Sequence, residues 1–264
     1  MPIHPTAVVD PLAVIDPTAN IGPYTVIEGP VAIECGCKIG PFAYITGSTT
    51  IGANCTIHAN TSIGDYPQDR AFDGGESFCR IGADTIIREG VTIHRGTAAG
   101  SITSVGDRCL LMTNSHVGHN CILEDDVTLV SGALLGGHVT VGSKTIISGN
   151  AAVHQFVRIG EMAMVSGLAK VVQDIPPFFM TDRDGHVVGV NSVGLRRNGF
   201  TAEERAEVKS AFRIVYRSIS NAQNALDLLR ETMRTRTGLA IVDFYANGGN
   251  RGVAKARERR RAAA

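Results

Sequence analysis

Four of the eight histidines in this chain fall between residues 116 and 154, and amide side chains follow two of them: His116, His119-Asn120, His138 and His154-Gln155. Imidazole is the side chain best matched to proton transfer near neutral pH. It serves as a general base when its second nitrogen is held by a partner, and Asn120 is the candidate partner of His119. An amide can orient an imidazole, but it offers no full negative charge to the imidazolium. No Ser or Cys stands in this set as an evident nucleophile. Direct transfer, with a histidine taking the proton of an acceptor hydroxyl, therefore fits better than a covalent intermediate. A single histidine of this kind is more often structural; the whole set reads as a site.

Such a set needs a frame, and the chain carries one. From Ile3 to Val171 every sixth residue is Ile, Val or Leu except Asp69, Gly75 and Ala99. A period of six fits neither a helix nor a simple half-buried strand. It marks a solenoid whose coils turn at fixed intervals. Gly follows the aliphatic residue at Gly22, Gly40, Gly52, Gly64, Gly82, Gly106, Gly118, Gly136, Gly142 and Gly160. Glycine there suits unusual backbone angles or close approach of the next coil. Two positions before the aliphatic residue stands a small or β-branched one, as in Thr25, Cys37, Cys55, Cys109, Cys121 and Thr145.

This pattern resembles the hexapeptide repeat of left-handed parallel β-helix proteins. The resemblance implies an all-β solenoid with triangular coils of about 18 residues, stacked about 4.8 Å apart. Gly137 would then lie above His119, Gln155 above Gly137, and Asn120 below His138. The histidines and amides would converge on one side of the solenoid. With no side chain at Gly137, a substrate carbonyl could reach a backbone N–H there. Such an oxyanion donor is typically worth about 2.7–4 kcal/mol.

Composition is consistent with a globular protein. The sequence has 264 residues and a formal net charge of zero, so a strongly basic nucleic-acid-binding chain is not expected. No apolar run approaches a membrane span, and Met1 to Asp10 has no basic or apolar leader, which favours the cytosol. Of six cysteines, Cys37, Cys55, Cys79, Cys109 and Cys121 share one slot of the repeat and read as packed, reduced thiols. No spacing matches a zinc site, so no metal is expected. The charge is unevenly spread: over residues 201–264 Lys and Arg outnumber Asp and Glu by almost two to one.

In chain order, residues 1–177 read as the solenoid, with two polar, Gly-rich loops thrown out at 64–80 and 94–104. Loops on a rigid scaffold often carry binding groups. Pro176-Pro177 ends pairing. Residues 178–264 read as a connector, to about residue 200, with a turn at Asp184-Gly185, followed by a small helical domain. Thr201-Ala202-Glu203-Glu204 reads as a capping box. Val208, Ala211, Phe212, Val215, Tyr216 and Ile219 follow at helical spacing, and further helices are expected near 222–234 and 239–246. Arg205, Lys209, Arg213 and Arg217, four apart on the first helix, form a basic stripe. It is either a solvated face or a docking strip for an acidic protein. From Arg251 to Ala264 the chain reads as a basic, frayed tail.

Several ordered runs sharpen the resemblance. They are Ile93-His94-Arg95-Gly96-Thr97, Asn114-Ser115-His116-Val117-Gly118-His119-Asn120, Gly137-His138, Val153-His154-Gln155-Phe156, Gln173-Asp174-Ile175-Pro176-Pro177 and Gly194-Leu195-Arg196-Arg197. Together they resemble the acyl-carrier-protein-dependent UDP-N-acetylglucosamine 3-O-acyltransferases, the first enzymes of lipid A biosynthesis. The resemblance covers nearly the whole chain. It implies His119 as general base and the Gly137 N–H as oxyanion donor. It implies that His116, His138, His154 and Gln155 line the sugar and acyl site. Gln68 and Asp69 would reach the nucleotide sugar from across a subunit boundary. Asn191 and Arg197 would approach the nucleotide, and Gly167 would floor the acyl groove. It further implies a homotrimer with sites between neighbouring solenoids, no cofactor, and acidic acyl carrier protein as the partner of the basic stripe.

The chain departs from the family at four places: Asn120 replaces an Asp, Ala71 a Lys, and Val193 and Asn198 an acidic and a basic residue. These changes leave open a related acceptor such as a 3-amino sugar. The later N-acyltransferase of the pathway has an extra N-terminal domain, whereas the ladder here starts at Ile3. Two other classes compete. One is a metal hydrolase on the same solenoid, similar to γ-type carbonic anhydrases, with His116 and His119 as ligands. The other is a non-catalytic trimeric scaffold.

Overall fold

Three parallel β-sheets form the sides of a prism. The computed structural model describes residues 3–218 and 221–257. The first sheet has nine strands, from Val8–Val9 to Lys170–Val171; the second has eight, from Val14–Ile15 to Arg158–Ile159; the third has ten and begins at Asn20–Ile21. Consecutive strands belong to consecutive sheets, and each pairs in parallel with the strand one coil away, as in Leu110↔Thr128 and Leu111↔Leu129. Outside the two loops every sixth residue points inward: Ile21, Ile27, Ile33, Ile39 and their aliphatic successors to Val171 form one buried column. Stacking separates paired residues by 18 positions except across the loops, where Ile51 meets Ile81 and Ile93 meets Val117.

The corners follow from two local rules. The glycine after the aliphatic residue is required by close approach: a Cβ on Gly118 would lie 2.8 Å from the Leu135 carbonyl oxygen of the next coil. Of the ten corner glycines, Gly64 alone has a positive φ. The left-handed backbone falls two residues later, at Asn54, Asn60, Asn120, His138 and Asn150 among others. Asn and Asp tolerate that conformation best among residues with a side chain. The small slot is used for hydrogen bonding across the corner. Thr25 Oγ1 donates to the Gly40 carbonyl at 2.9 Å, and the Cys37 and Cys121 thiols donate to those of Gly52 and Gly136 at 3.1 Å. The five slot cysteines are buried and free, and Cys35 is exposed.

The stretch from 178 to 200, expected as a connector, is ordered. Phe179–Thr181 and Val187–Val190 form an antiparallel hairpin, and its first strand pairs in parallel with Met164–Val165, so the third sheet closes the end of the solenoid. A short helix, α1 (Ser192–Arg197), follows. α2 (Ala202–Arg213) starts at Thr201 with the capping box in place and widens into a π-helical turn over Ile214–Ser218. α3 (Ala222–Thr232) and α4 (Arg236–Ala246) complete the helical part. Ile219 and the tail beyond residue 257 lie outside the described residues.

Arg158 binds α4 to the solenoid. Its Nε donates to Asp174 Oδ2 at 2.8 Å, its Nη atoms donate to the Phe244 and Asn247 carbonyls, and its guanidinium lies 4.3 Å from the Phe244 ring centroid. Asp174 is fully buried. A carboxylate in that position needs a cation beside it.

Candidate active site

Gly118, His119 and Asn120 occupy one corner between the first and second sheets. The left-handed backbone at Asn120, φ 60°, turns its amide back toward the preceding imidazole. Asn120 Oδ1 lies 2.9 Å from His119 Nδ1, the pairing expected from the sequence. Thr97 on the second loop adds two contacts: its N–H donates to Asn120 Oδ1 at 3.0 Å, and its Oγ1 lies 2.8 Å from His119 Nδ1. The His119 side chain is only 12% exposed.

Gly137 lies directly over this imidazole. A Cβ there would come within 2.5 Å of His119 Cε1 and Nε2. At four of the corners between the second and third sheets, the N–H in the same slot is taken by a carboxylate: Glu34 for Ala53, Asp107 for Ala83, Asp125 for Asp107 and Glu124 for Ser143. The Gly137 N–H has no acceptor among the described residues. A bare donor above a held imidazole can meet an oxyanion while the imidazole takes a proton.

A cavity of about 390 Å³ opens at this corner, lined by Gln68, His94, His116, His119, Gly137, His154 and Gln155 among others. His116 Nδ1 is 2.7 Å from Thr92 Oγ1. Burial, with His94 and His119 nearby, pushes His116 down to about 4, so it is neutral at physiological pH. His138 stands beside the cavity rather than in its lining. It stacks on Phe156 at 4.6 Å between centroids and meets His119 edge to face at 5.2 Å. Burial lowers its basicity as well. His154 is exposed, and Arg251 Nη2 donates to its Nδ1 at 2.8 Å.

The first loop differs from expectation. Gln68 and Asp69 reach the cavity from the same chain, not across a subunit boundary: Asp69 Oδ2 lies 3.7 Å from His119 Nε2. Two residues hold the loop there. His94 Nδ1 bonds the Tyr66 carbonyl, and Arg95 donates to the Gly64 carbonyl at 3.0 Å while lying 4.3 Å over the Tyr66 ring. Three other expected residues stand elsewhere in the chain. Gly167 is at a corner between the third and first sheets, exposed. Asn191 is buried as the N-cap of α1, accepting from the Gly194 N–H and donating to the Met162 carbonyl at 3.0 Å. Arg197, at the end of α1, is exposed. None of the three lines the His119 cavity.

Of the basic stripe, Lys209, Arg213 and Arg217 are exposed and have no carboxylate partner among the described residues, whereas Arg205 is turned onto the Phe200 carbonyl. The histidines do not form a three-ligand metal cluster; among the described residues that geometry occurs only at Asp182, Asp184 and His186, in the hairpin turn. The sequence alone assigns no role to His94, Thr97 or Arg251. His94 and Thr97 lie in the Ile93–Thr97 run, which was a visible signal. Arg251, read as tail, had none.

Residues 174–254 match the second domain of UDP-N-acetylglucosamine O-acyltransferases, and residues 30–65 match the bacterial transferase hexapeptide family. The chain is 41% identical over 255 residues to an acyl-[acyl-carrier-protein]–UDP-N-acetylglucosamine O-acyltransferase of Myxococcus xanthus, covering 96% of this chain and 99% of that protein. It belongs to this acyltransferase family. A second relative of the same name, from Alkalilimnicola ehrlichii, is 40% identical over 95% of this chain and 98% of its own length. The solved Acinetobacter baumannii structure superposes with a TM-score of 0.93 at 31% identity, covering 97% of this chain and all of that one. The UDP-N-acetylglucosamine acyltransferase of Francisella novicida gives 0.92 at 35% identity, with 96% and 94% covered. The fold is thus the left-handed parallel β-helix of the family with its helical C-terminal part. Among the described residues no helix is long and apolar enough to cross a membrane.

Proposed function

We propose that this chain transfers a fatty acyl group from the thioester of acyl carrier protein to the 3-hydroxyl of UDP-N-acetylglucosamine, the first step of lipid A biosynthesis. The observation that carries this reading is the unoccupied Gly137 N–H above the His119 imidazole. His119 Nε2 takes the hydroxyl proton as the oxygen attacks the thioester carbonyl. The Gly137 N–H donates to the resulting oxyanion. Collapse expels the thiolate, and the proton on His119 passes to it. Asn120 holds the ring, and Asp69 faces the imidazolium with the negative charge that the amide lacks. The reaction needs no cofactor. The Asn120 amide in place of a carboxylate favours keeping a 3-amino sugar as the alternative acceptor.

Gly167, at the corner between the third and first sheets, and Arg197, at the end of α1, both stand away from the His119 corner. We assign them to the sites of neighbouring copies in a homotrimer. Each site would then combine one chain's histidines with a neighbour's nucleotide and acyl contacts. Exposed Lys209, Arg213 and Arg217 suit docking of an acidic carrier protein. A cytoplasmic setting agrees with both substrates.

The test is acyl transfer followed by mass spectrometry, using carrier-protein thioesters of several chain lengths with UDP-N-acetylglucosamine or its 3-amino analogue. His119→Ala should lose at least about 10²-fold. Product with the amino sugar alone would move the assignment to N-acylation. No product with either would remove the acyltransferase reading. Coexpressed His119→Ala and Arg197→Ala chains should regain about a quarter of the sites if neighbours share them.

A further inference from the structure

His119 Nδ1 has two oxygen neighbours, Asn120 Oδ1 at 2.9 Å and Thr97 Oγ1 at 2.8 Å. An Asn side chain can present either an acceptor or a donor to such a nitrogen. If it presented its NH₂, the Nδ1 lone pair would accept and the ring proton would sit on Nε2. That tautomer cannot take a proton from a substrate. Asp69 Oδ2, 3.7 Å from Nε2, pulls in the same unproductive direction, because a carboxylate there welcomes an Nε2–H. A carboxylate in place of Asn120 would have no donor face, so an Asp at this position would not encounter the problem.

One backbone group removes the ambiguity. The Thr97 N–H is a donor whatever its side chain does, and it points at the Asn120 side chain from 3.0 Å. Its partner must be the amide oxygen. The same oxygen faces His119 Nδ1 at 2.9 Å, where a bare Nδ1 would set two lone pairs against each other, so the contact favours the hydrogen on Nδ1. Nε2 is then left with its lone pair toward Gly137 and the cavity. The corner also holds Asn120 itself, since its own N–H donates to Thr103 Oγ1 at 2.7 Å.

We propose that Thr97 is a positioning residue: its backbone N–H fixes the Asn120 amide orientation and thereby holds His119 in the Nδ1–H tautomer that a general base requires. This rests on the reading of His119 as the base, but its central test does not. The second loop thus acts on the chemistry without touching substrate. Thr97 Oγ1 is an auxiliary acceptor for Nδ1–H, so the side chain matters less than the backbone.

The experiment is nitrogen NMR of the histidine rings in protein labelled with ¹⁵N-histidine, at about pH 8, where imidazole is neutral. The His119 signals are assigned by their loss in His119→Gln. Wild type should show a protonated Nδ1 and a bare Nε2. Asn120→Gly, which suits the left-handed backbone, should move the proton to Nε2. Thr97→Pro deletes the N–H and should do the same, with a rate loss of about 10²–10⁴-fold. Thr97→Val keeps the N–H and should keep the Nδ1 proton. In Thr97→Pro/Asn120→Asp the carboxylate needs no orienting and should restore the Nδ1 proton. A wild-type proton on Nε2 overturns the proposal. So does a Thr97→Pro or Asn120→Gly protein that keeps its proton on Nδ1. An Nδ1–H ring in a protein with no acyltransferase activity would uphold the proposed orientation while removing the catalytic reading.

Discussion

Gly137→Ala isolates the contact on which the catalytic reading depends. Gly137 is not among the residues with positive φ, so alanine can adopt its backbone without strain. The added Cβ would stand 2.5 Å from His119 Cε1 and Nε2 and 3.1 Å from Cδ2. Ordinary carbon contacts are about 3.5–4.0 Å, so the ring must move by roughly 1 Å. A displacement of that size at a reacting group costs about 10²-fold in rate. The methyl would also cover the approach to the Gly137 N–H, and loss of one such donor costs about 10²–10³-fold. The two effects act on one transition state and do not multiply. We expect kcat to fall by about 10²–10³-fold, with the melting temperature within a few degrees of wild type. The assay is initial-rate acyl transfer by mass spectrometry, with thermal unfolding on the same samples. Gly189→Ala is the control, because its Cβ would meet only Met180 Cε, at 3.9 Å. A Gly137→Ala enzyme that unfolds normally and keeps a rate within about threefold of wild type would refute the reasoning.

Arg158→Ala leaves Asp174 charged and buried without its cation. That costs about 3–5 kcal/mol, seen as a drop of roughly 6–20 °C in melting temperature, with α4 the first segment to lose amide protection in hydrogen exchange. His116 has a folded value of about 4 against an ordinary 6.5, so below the ordinary value the unfolded chain binds the proton and the folded chain does not. Its contribution, on the order of 3 kcal/mol, is intact above pH 6.5 and is lost as pH falls toward 4; denaturant titrations of His116→Phe should show a shallower acid slope. Lys209→Glu/Arg213→Glu should raise KM for the carrier-protein thioester at least about tenfold with little change in kcat, and should weaken the salt dependence of the wild-type rate.

The ladder was legible because its signal is periodic and local. Ile, Val or Leu every sixth residue, a small slot two places before it and a glycine just after leave few other structures open, and from Ile21 to Val171 the aliphatic positions are all buried. The placement of Gly137 over His119 followed from the same periodicity, since one coil separates them. What failed lay where periodicity fails. The loop bearing Asp69 spans a multiple of six residues, so the count gave no sign that the chain returns to its own cavity. Thr97 and His94 sit at the other interruption. The hairpin at 179–190 carries no hexapeptide mark because it only caps the third sheet.

A hexapeptide frame writes each inward side chain and each corner into the chain itself, because every coil repeats the same short-range conditions of volume and backbone angle. The first links of this protein, from sequence to fold to the coil-on-coil pairs of the histidine corner, are therefore contained in the order of residues. Contacts across the loops are not. Asp69 facing Nε2, Thr97 orienting Asn120, and Arg158 joining Asp174 to α4 each depend on where a long excursion comes to rest. That position is set by the packing of Tyr66 on Arg95 and of α4 on the solenoid, a balance of many non-local contacts that no spacing in the chain encodes.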